Sequence, residues 1–135
     1  MRNIVLRATR SLAAVVVGYA VIAIGTTLAF EVWLGGIGYH KSSTPVLAVA
    51  SLAAFLSGFS GGYAAAWLGG RPQLLHAAGV LIPLIIDTTY VVTSGVSSDP
   101  LWYDLAGAVT LMGAAVLGGY VRQLQSKRGA ALLTT

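Results

Sequence analysis

Asp87 is the acidic side chain set deepest in an apolar stretch of this sequence, and a carboxylate in that setting has few uses. It lies about 13 residues into a run that starts near Leu74, roughly 20 Å along if the run is helical. A charged carboxylate at the centre of a lipid-embedded helix costs about 2.5–3.5 kcal/mol, so such groups mark ion paths, proton relays or buried hydrogen bonds. Pro83, four residues earlier, cannot give the usual bond to the Gly79 carbonyl, which predicts a kink. Pro83, Asp87 and Tyr90 follow at spacings of four and three, with the Thr88 and Thr89 hydroxyls beside them. One reading is a polar pocket in which Asp87, with Thr88 and Tyr90, binds a cation or a proton. The other is a hydrogen-bonded or protonated aspartate paired with a threonine, a tyrosine or the freed carbonyl.

Glu31 stands near the end of a different apolar run, next to Trp33. It either joins Asp87 in an acidic vestibule or, the preferred reading, is an interfacial charge in headgroup water. Asp99 and Asp104 read as loop and helix-start residues, Asp104 favourably placed on a helix dipole. His40 and His76 fall on opposite sides of the expected membrane, so one subunit cannot clamp a haem between them. His76 reads as a hydrogen-bonded interfacial residue in preference to a sole haem ligand. No metal-ligand motif, nucleophile–base set or phosphate-binding glycine loop occurs, and no cofactor and no enzymatic activity are expected. The absence of cysteine removes disulfide and thiol chemistry.

The elements that position these residues follow from composition. Of the 135 residues 56% are hydrophobic and 9% charged, against about 25% charged in a soluble domain. Water could not solvate the surface of such a chain, and a lipid bilayer could. Four apolar segments are predicted as helices, at about 11–34, 46–68, 74–94 and 102–121, each near the 20 residues that cross a hydrocarbon core. They imply a single all-α domain, an integral membrane four-helix bundle. The first segment is too long for a signal-peptide core and reads as a retained helix. Gly35, Gly36 and Gly38, then Gly69-Gly70-Arg71-Pro72, then Gly95 to Pro100, supply the breaks, and Pro45 opens the second helix. Arg2, Arg7, Arg10, Arg71, Arg122, Lys127 and Arg128 share one side, with Lys41 alone opposite. By the positive-inside rule both termini are expected in the cytoplasm. The net charge of +4 is explained by topology, and no basic groove with interleaved aromatics suggests nucleic acid.

Small residues recur four apart: Ala50, Ala54, Gly58, Gly62 and Ala66 in the second segment, Ala106, Thr110, Ala114 and Gly118 in the fourth. The first offers Ala14, Gly18, Gly25 and Ala29. In lipid, close backbone approach replaces the hydrophobic drive, so these are packing faces, inside the bundle or toward a second copy or another subunit. Gly61-Gly62-Tyr63 and Gly118-Gly119-Tyr120 recur at similar depth, as do Thr26-Thr27 and Thr88-Thr89, a pattern that two tandem helical hairpins would give.

The stretch Gly61-Gly62-Tyr63-Ala64-Ala65, Gly70-Arg71-Pro72 and Leu75-His76-Ala77 resembles a pattern in uncharacterised small four-span bacterial membrane proteins. That resemblance covers about seventeen positions and implies a four-span fold in a bacterial cytoplasmic (inner) membrane; it implies no activity. The reading preferred from sequence is an accessory or assembly subunit of a membrane complex, in contact with lipid and with other subunits or itself. The alternative is a small dimeric transporter or channel subunit that uses Asp87.

Overall fold

The computed structural model describes residues 2–132, and the side chains of residues 5–129. Every regular element among them is helical. Helix α1 covers Arg2–Thr27 and runs on as a π-helical segment, Leu28–Trp33. Helix α2 is Thr44–Gly69, α3 is Gln73–Gly79, α4 is Leu81–Ser94 and α5 is Leu101–Leu132. Four stretches are long and apolar enough to cross a membrane: Val5–Trp33, Thr44–Gly69, Gln73–Ser94 and Leu101–Gly129. The third joins α3 and α4. The chain is therefore an all-α, multi-pass bundle of four spans.

The helices outrun their apolar cores. α1 starts at Arg2 and not near Ser11, and α5 continues to Leu132 and not to about Val121. Helical hydrogen bonding does not stop where lipid stops, and Arg122, Gln123, Gln125 and Lys127 are straight-chain residues with good helix propensity. The third span breaks where its proline demands. Pro83 has no N–H for the Gly79 carbonyl, and the helix interrupts at Val80, whose N–H turns back to the Ala77 carbonyl at 3.2 Å. At the far end of α4, Gly95 takes φ +66°, the left-handed conformation that ends a helix without a Cβ penalty.

Helix α2 is the centre of the molecule, with α1 on one side and α5 on the other. Most of the buried apolar residues are alanines, including Ala14, Ala50, Ala54, Ala65, Ala66, Ala77, Ala114 and Ala115. Contact between backbones, more than side-chain bulk, holds these helices together. Gly58 and Gly62 face α5. A Cβ on Gly58 would stand 2.6 Å from the Leu111 carbonyl oxygen, and one on Gly62 would strike the Ala115 carbonyl. Gly118 answers from α5 against the Phe59 carbonyl. On the other side of α2, Gly61 meets Gly18 and Ile22 of α1. Larger side chains fill one nucleus: Ile22, Val80 and Leu84 close on Ala65 and Ala115, with Tyr19, Leu111 and Met112 around them.

The stripe Ala54, Gly58, Gly62, Ala114 and Gly118 is thus engaged inside the chain, and it carries no argument for a second copy. The two hairpins are not alike either. α1 lies along α2 throughout, whereas the third span is held through α3, which packs on α2 and α5, and its α4 half rests only lightly on α5. The glycine pairs also differ: Gly61 and Gly62 serve α1 and α5, while Gly118 and Gly119 serve α2 and Ala77 of α3. The consequence is an open seam between α1 and α4, and two large cavities lie along it.

Candidate functional site

At the end of the bundle that carries the α1–α2 and α4–α5 loops, α1, α2, α4 and α5 surround a cleft of about 820 Å³. All four carboxylates of the chain line it: Glu31 from the π-helical segment, Asp87 from α4, Asp99 from the α4–α5 loop and Asp104 from the first turn of α5. Asp99 and Asp104 are tied into the rim. Asp99 accepts the Tyr39 N–H at 3.0 Å, and Asp104 accepts the Ser97 hydroxyl at 3.2 Å. The Asp99 bond clasps the two loops together, and Tyr39 packs edge-on against Trp102 with ring centroids 5.0 Å apart. Glu31 and Asp87 are exposed to the open volume between the helices. Asp87 also lies within electrostatic reach of Tyr19 on α1.

Four hydroxyls in the walls have a common orientation. Thr88 donates to the Leu84 carbonyl at 2.8 Å, Thr26 to Ile22 at 2.8 Å, Ser51 to Leu47 at 2.9 Å and Thr110 to Ala106 at 2.8 Å. Each proton is committed to a carbonyl one turn back in the same helix, the usual way such side chains are satisfied in a helix. What remains available on each oxygen is lone pairs. Four carboxylates and four hydroxyls that have spent their protons make a cleft that chiefly accepts hydrogen bonds and attracts positive charge. The aromatic rings of Tyr39, Trp102 and Tyr103 in the same lining add faces suited to a cation. No cluster of three His, Cys, Asp or Glu side chains with metal-binding geometry is present among the described residues.

Of the residues singled out in the sequence, Asp87, Thr88 and Glu31 meet in this cleft. Glu31, the interfacial charge of the preferred reading, shares the acidic vestibule that was its alternative. Glu31 follows Thr27 by one turn, and Thr27 and Phe30 line the same cleft. Tyr90 does not join them. It is 61% exposed on the outer side of α4. At about 100° per residue, Asp87, Thr88 and Val91 span one arc facing the cleft, and Tyr90 falls outside it. Pro83 lines a separate groove at the other end of the seam. Sequence reasoning missed Asp99, Asp104, Ser51 and the Tyr39–Trp102 pair as parts of one site. Their common side of the membrane was legible, but their convergence depends on how the loops clasp.

His76 is a structural residue. It is 6% exposed on α3, with Nδ1 2.8 Å from the Pro72 carbonyl and Nε2 3.0 Å from the Ser11 hydroxyl. The carbonyl can only accept, so Nδ1 carries a proton, and Nε2 is taken up by the Ser11 hydroxyl. Neither nitrogen is offered to a haem iron. His76→Ala should lower stability by about 1–3 kcal/mol by leaving the Ser11 and Pro72 groups without their partner, measurable as an earlier unfolding midpoint in detergent. An unchanged midpoint would show that this link between α1 and α3 contributes nothing. Comparison with protein-family models, with curated proteins and with solved structures gives no match for this chain.

Proposed function

We propose that this chain is a non-enzymatic subunit of a small transporter or channel in a bacterial cytoplasmic membrane, and that its acidic cleft, on the outer side, receives a cation. The observation that carries the reading is the convergence of all four acidic side chains on one cleft, four of whose wall hydroxyls have their protons committed to helix carbonyls. The dispersal of the carboxylates, with no three-ligand cluster, and the volume of about 820 Å³ favour a hydrated ion or an organic ammonium over a bare metal ion. Asp87 is the inner member of the set, at the level where α4 is lightly held, and so the group best placed to pass a cation or proton onward. Below it Ile22, Val80 and Leu84 fill the bundle, so passage requires α4 to move or a second subunit to complete the path.

Tetraethylammonium is a suitable probe. Purified protein in neutral detergent should bind it saturably with a dissociation constant near or below about 1 mM, and should not bind an uncharged solute of similar size. Proteoliposomes should take up the cation faster than empty vesicles. Uptake equal to that of empty vesicles would overturn the transport reading, and absence of saturable binding would overturn the cation cleft itself.

A second reading, an accessory or assembly subunit, draws on a different observation. Ile82, Ile86 and Tyr90 form an exposed row one turn apart on α4, at 64%, 64% and 61% exposure. A partner helix could lie along that row, with the Tyr90 hydroxyl toward the headgroups. Purification in mild detergent with a stoichiometric companion protein, lost in Ile86→Ser, would favour it.

A further inference from the structure

We propose that the opposite end of the α1–α4 seam is a binding groove for an anionic phospholipid, with the phosphate held by Arg7, Arg10 and Arg71 and an acyl chain laid along the seam. The groove has a volume of about 1020 Å³. Its head end is formed by the three arginines, drawn from α1 and from the turn between α2 and α3. Arg10 is held in place: its Nε donates to the Leu68 carbonyl at 2.7 Å, and its guanidinium lies over Gly70. That leaves the terminal nitrogens at the mouth. No acid lines the groove, because all four carboxylates lie in the cleft at the other end. Three guanidinium groups converging without a carboxylate call for an anion, and the planar fork of arginine matches phosphate oxygens.

The rest of the groove says which anion. Beyond the arginines lie Ser11 and His76, which bond to each other, and then the apolar walls Leu12, Val15, Val16, Ile82 and Pro83. α1 is tied to α3 on this line through Ser11 and His76, while α4 stands off from it beyond the break. The break between α3 and α4 makes the space, and the contact of Gly79 with Val15 closes its floor. A free phosphate or a nucleotide would use the arginines and leave the apolar walls idle. A phospholipid uses both: headgroup at the basic mouth, chain between the helices. Basic pockets between membrane helices select anionic headgroups in this way. A lipid can enter wherever this end of the bundle meets a headgroup layer, on whichever side of the membrane that lies and whether or not the other cleft takes a cation.

The test is native mass spectrometry of the full chain from neutral detergent, titrated with phosphatidylglycerol and, separately, with phosphatidylcholine of the same chains. Retention of phosphatidylglycerol should exceed that of phosphatidylcholine by about thirtyfold, the order that two arginines at about 1 kcal/mol each supply. The double variant Arg7→Gln, Arg71→Gln should lose that preference. The double variant Lys127→Gln, Arg128→Gln removes as much charge outside the groove and should keep it. Equal retention of the two lipids by the unaltered protein would overturn the proposal without recourse to any variant. So would equal loss of preference in the two double variants, which would mean diffuse attraction and no site. Inorganic phosphate or glycerol 3-phosphate at the lipid's concentration should not displace phosphatidylglycerol. Displacement by either would make the groove an anion site and sink the lipid.

Discussion

Asp87→Asn should weaken tetraethylammonium binding by at least about tenfold, or roughly 1.4 kcal/mol, while making the protein more resistant to unfolding. The two effects have one cause. The substitution keeps the shape of the side chain and removes a charge that lies deep in a span, exposed to the cleft. A carboxylate at that depth costs up to about 2.5–3.5 kcal/mol, and an amide relieves part of that cost. A cation in the cleft loses its nearest fixed partner at the same time. Glu31→Gln, nearer the water at the mouth, should cost less, because solvent screens exposed pairs. The opposite sign on stability distinguishes the proposed role from a structural one. If Asp87 is there to hold the helices, Asp87→Asn would destabilise the bundle and leave cation binding little changed. Calorimetric titration and a thermal melt on the same sample read both quantities.

Gly62→Leu should prevent the bundle from forming in its present geometry, at a cost of about 3 kcal/mol or more. The new Cβ would strike the Ala115 carbonyl of α5, and a backbone group cannot swing aside as a side-chain tip can. α2 and α5 would have to move apart, which separates Gly58 from Leu111 and Gly118 from Phe59 along the same crossing. The matched control is Gly113→Ala. Nothing lies within 4 Å of the added methyl group there, and alanine is the better helix former by about 1 kcal/mol. Midpoints of unfolding in a denaturing detergent should therefore fall sharply for Gly62→Leu and hold or rise for Gly113→Ala. Equal midpoints for Gly62→Leu and the unaltered protein would mean that α2 and α5 do not meet at this glycine.

The contrast between those two glycines shows what the sequence could and could not disclose. Spacing alone marked Gly58 and Gly62, because small residues four apart fall on one helix face whatever the tertiary structure. It could not say whether that face met a neighbour in the same chain or in another, and the structure places it against α5. The spans were legible because lipid imposes one length and one composition on all of them. Their ends were not, since Arg122 and Lys127 leave the membrane without leaving the helix. The Pro83 break was predictable from a missing N–H. The site was legible only residue by residue. Asp87 announced itself by its depth, but Glu31 shares the cleft only because its segment faces α4 and α5, which spacing within one helix cannot tell, and Tyr90 was misplaced by treating a spacing of three as though it were none. Asp99 joined through a bond to the Tyr39 backbone, and backbone donors have no signature in a sequence.

The adjacent glycines of α2, Gly61 against α1 and Gly62 against α5, fix that helix at two angles at once. One residue added between Pro45 and Gly61 would turn everything upstream by about 100° relative to both contacts. Ala50 and Ala54 would then swing out of the crowded seam, and Leu52 or Phe55 would be driven toward it. Chains descended from a common ancestor with this one should accordingly vary in the length of their loops while keeping α2 at a constant count. The middle helix serves as the ruler from which the others take their places.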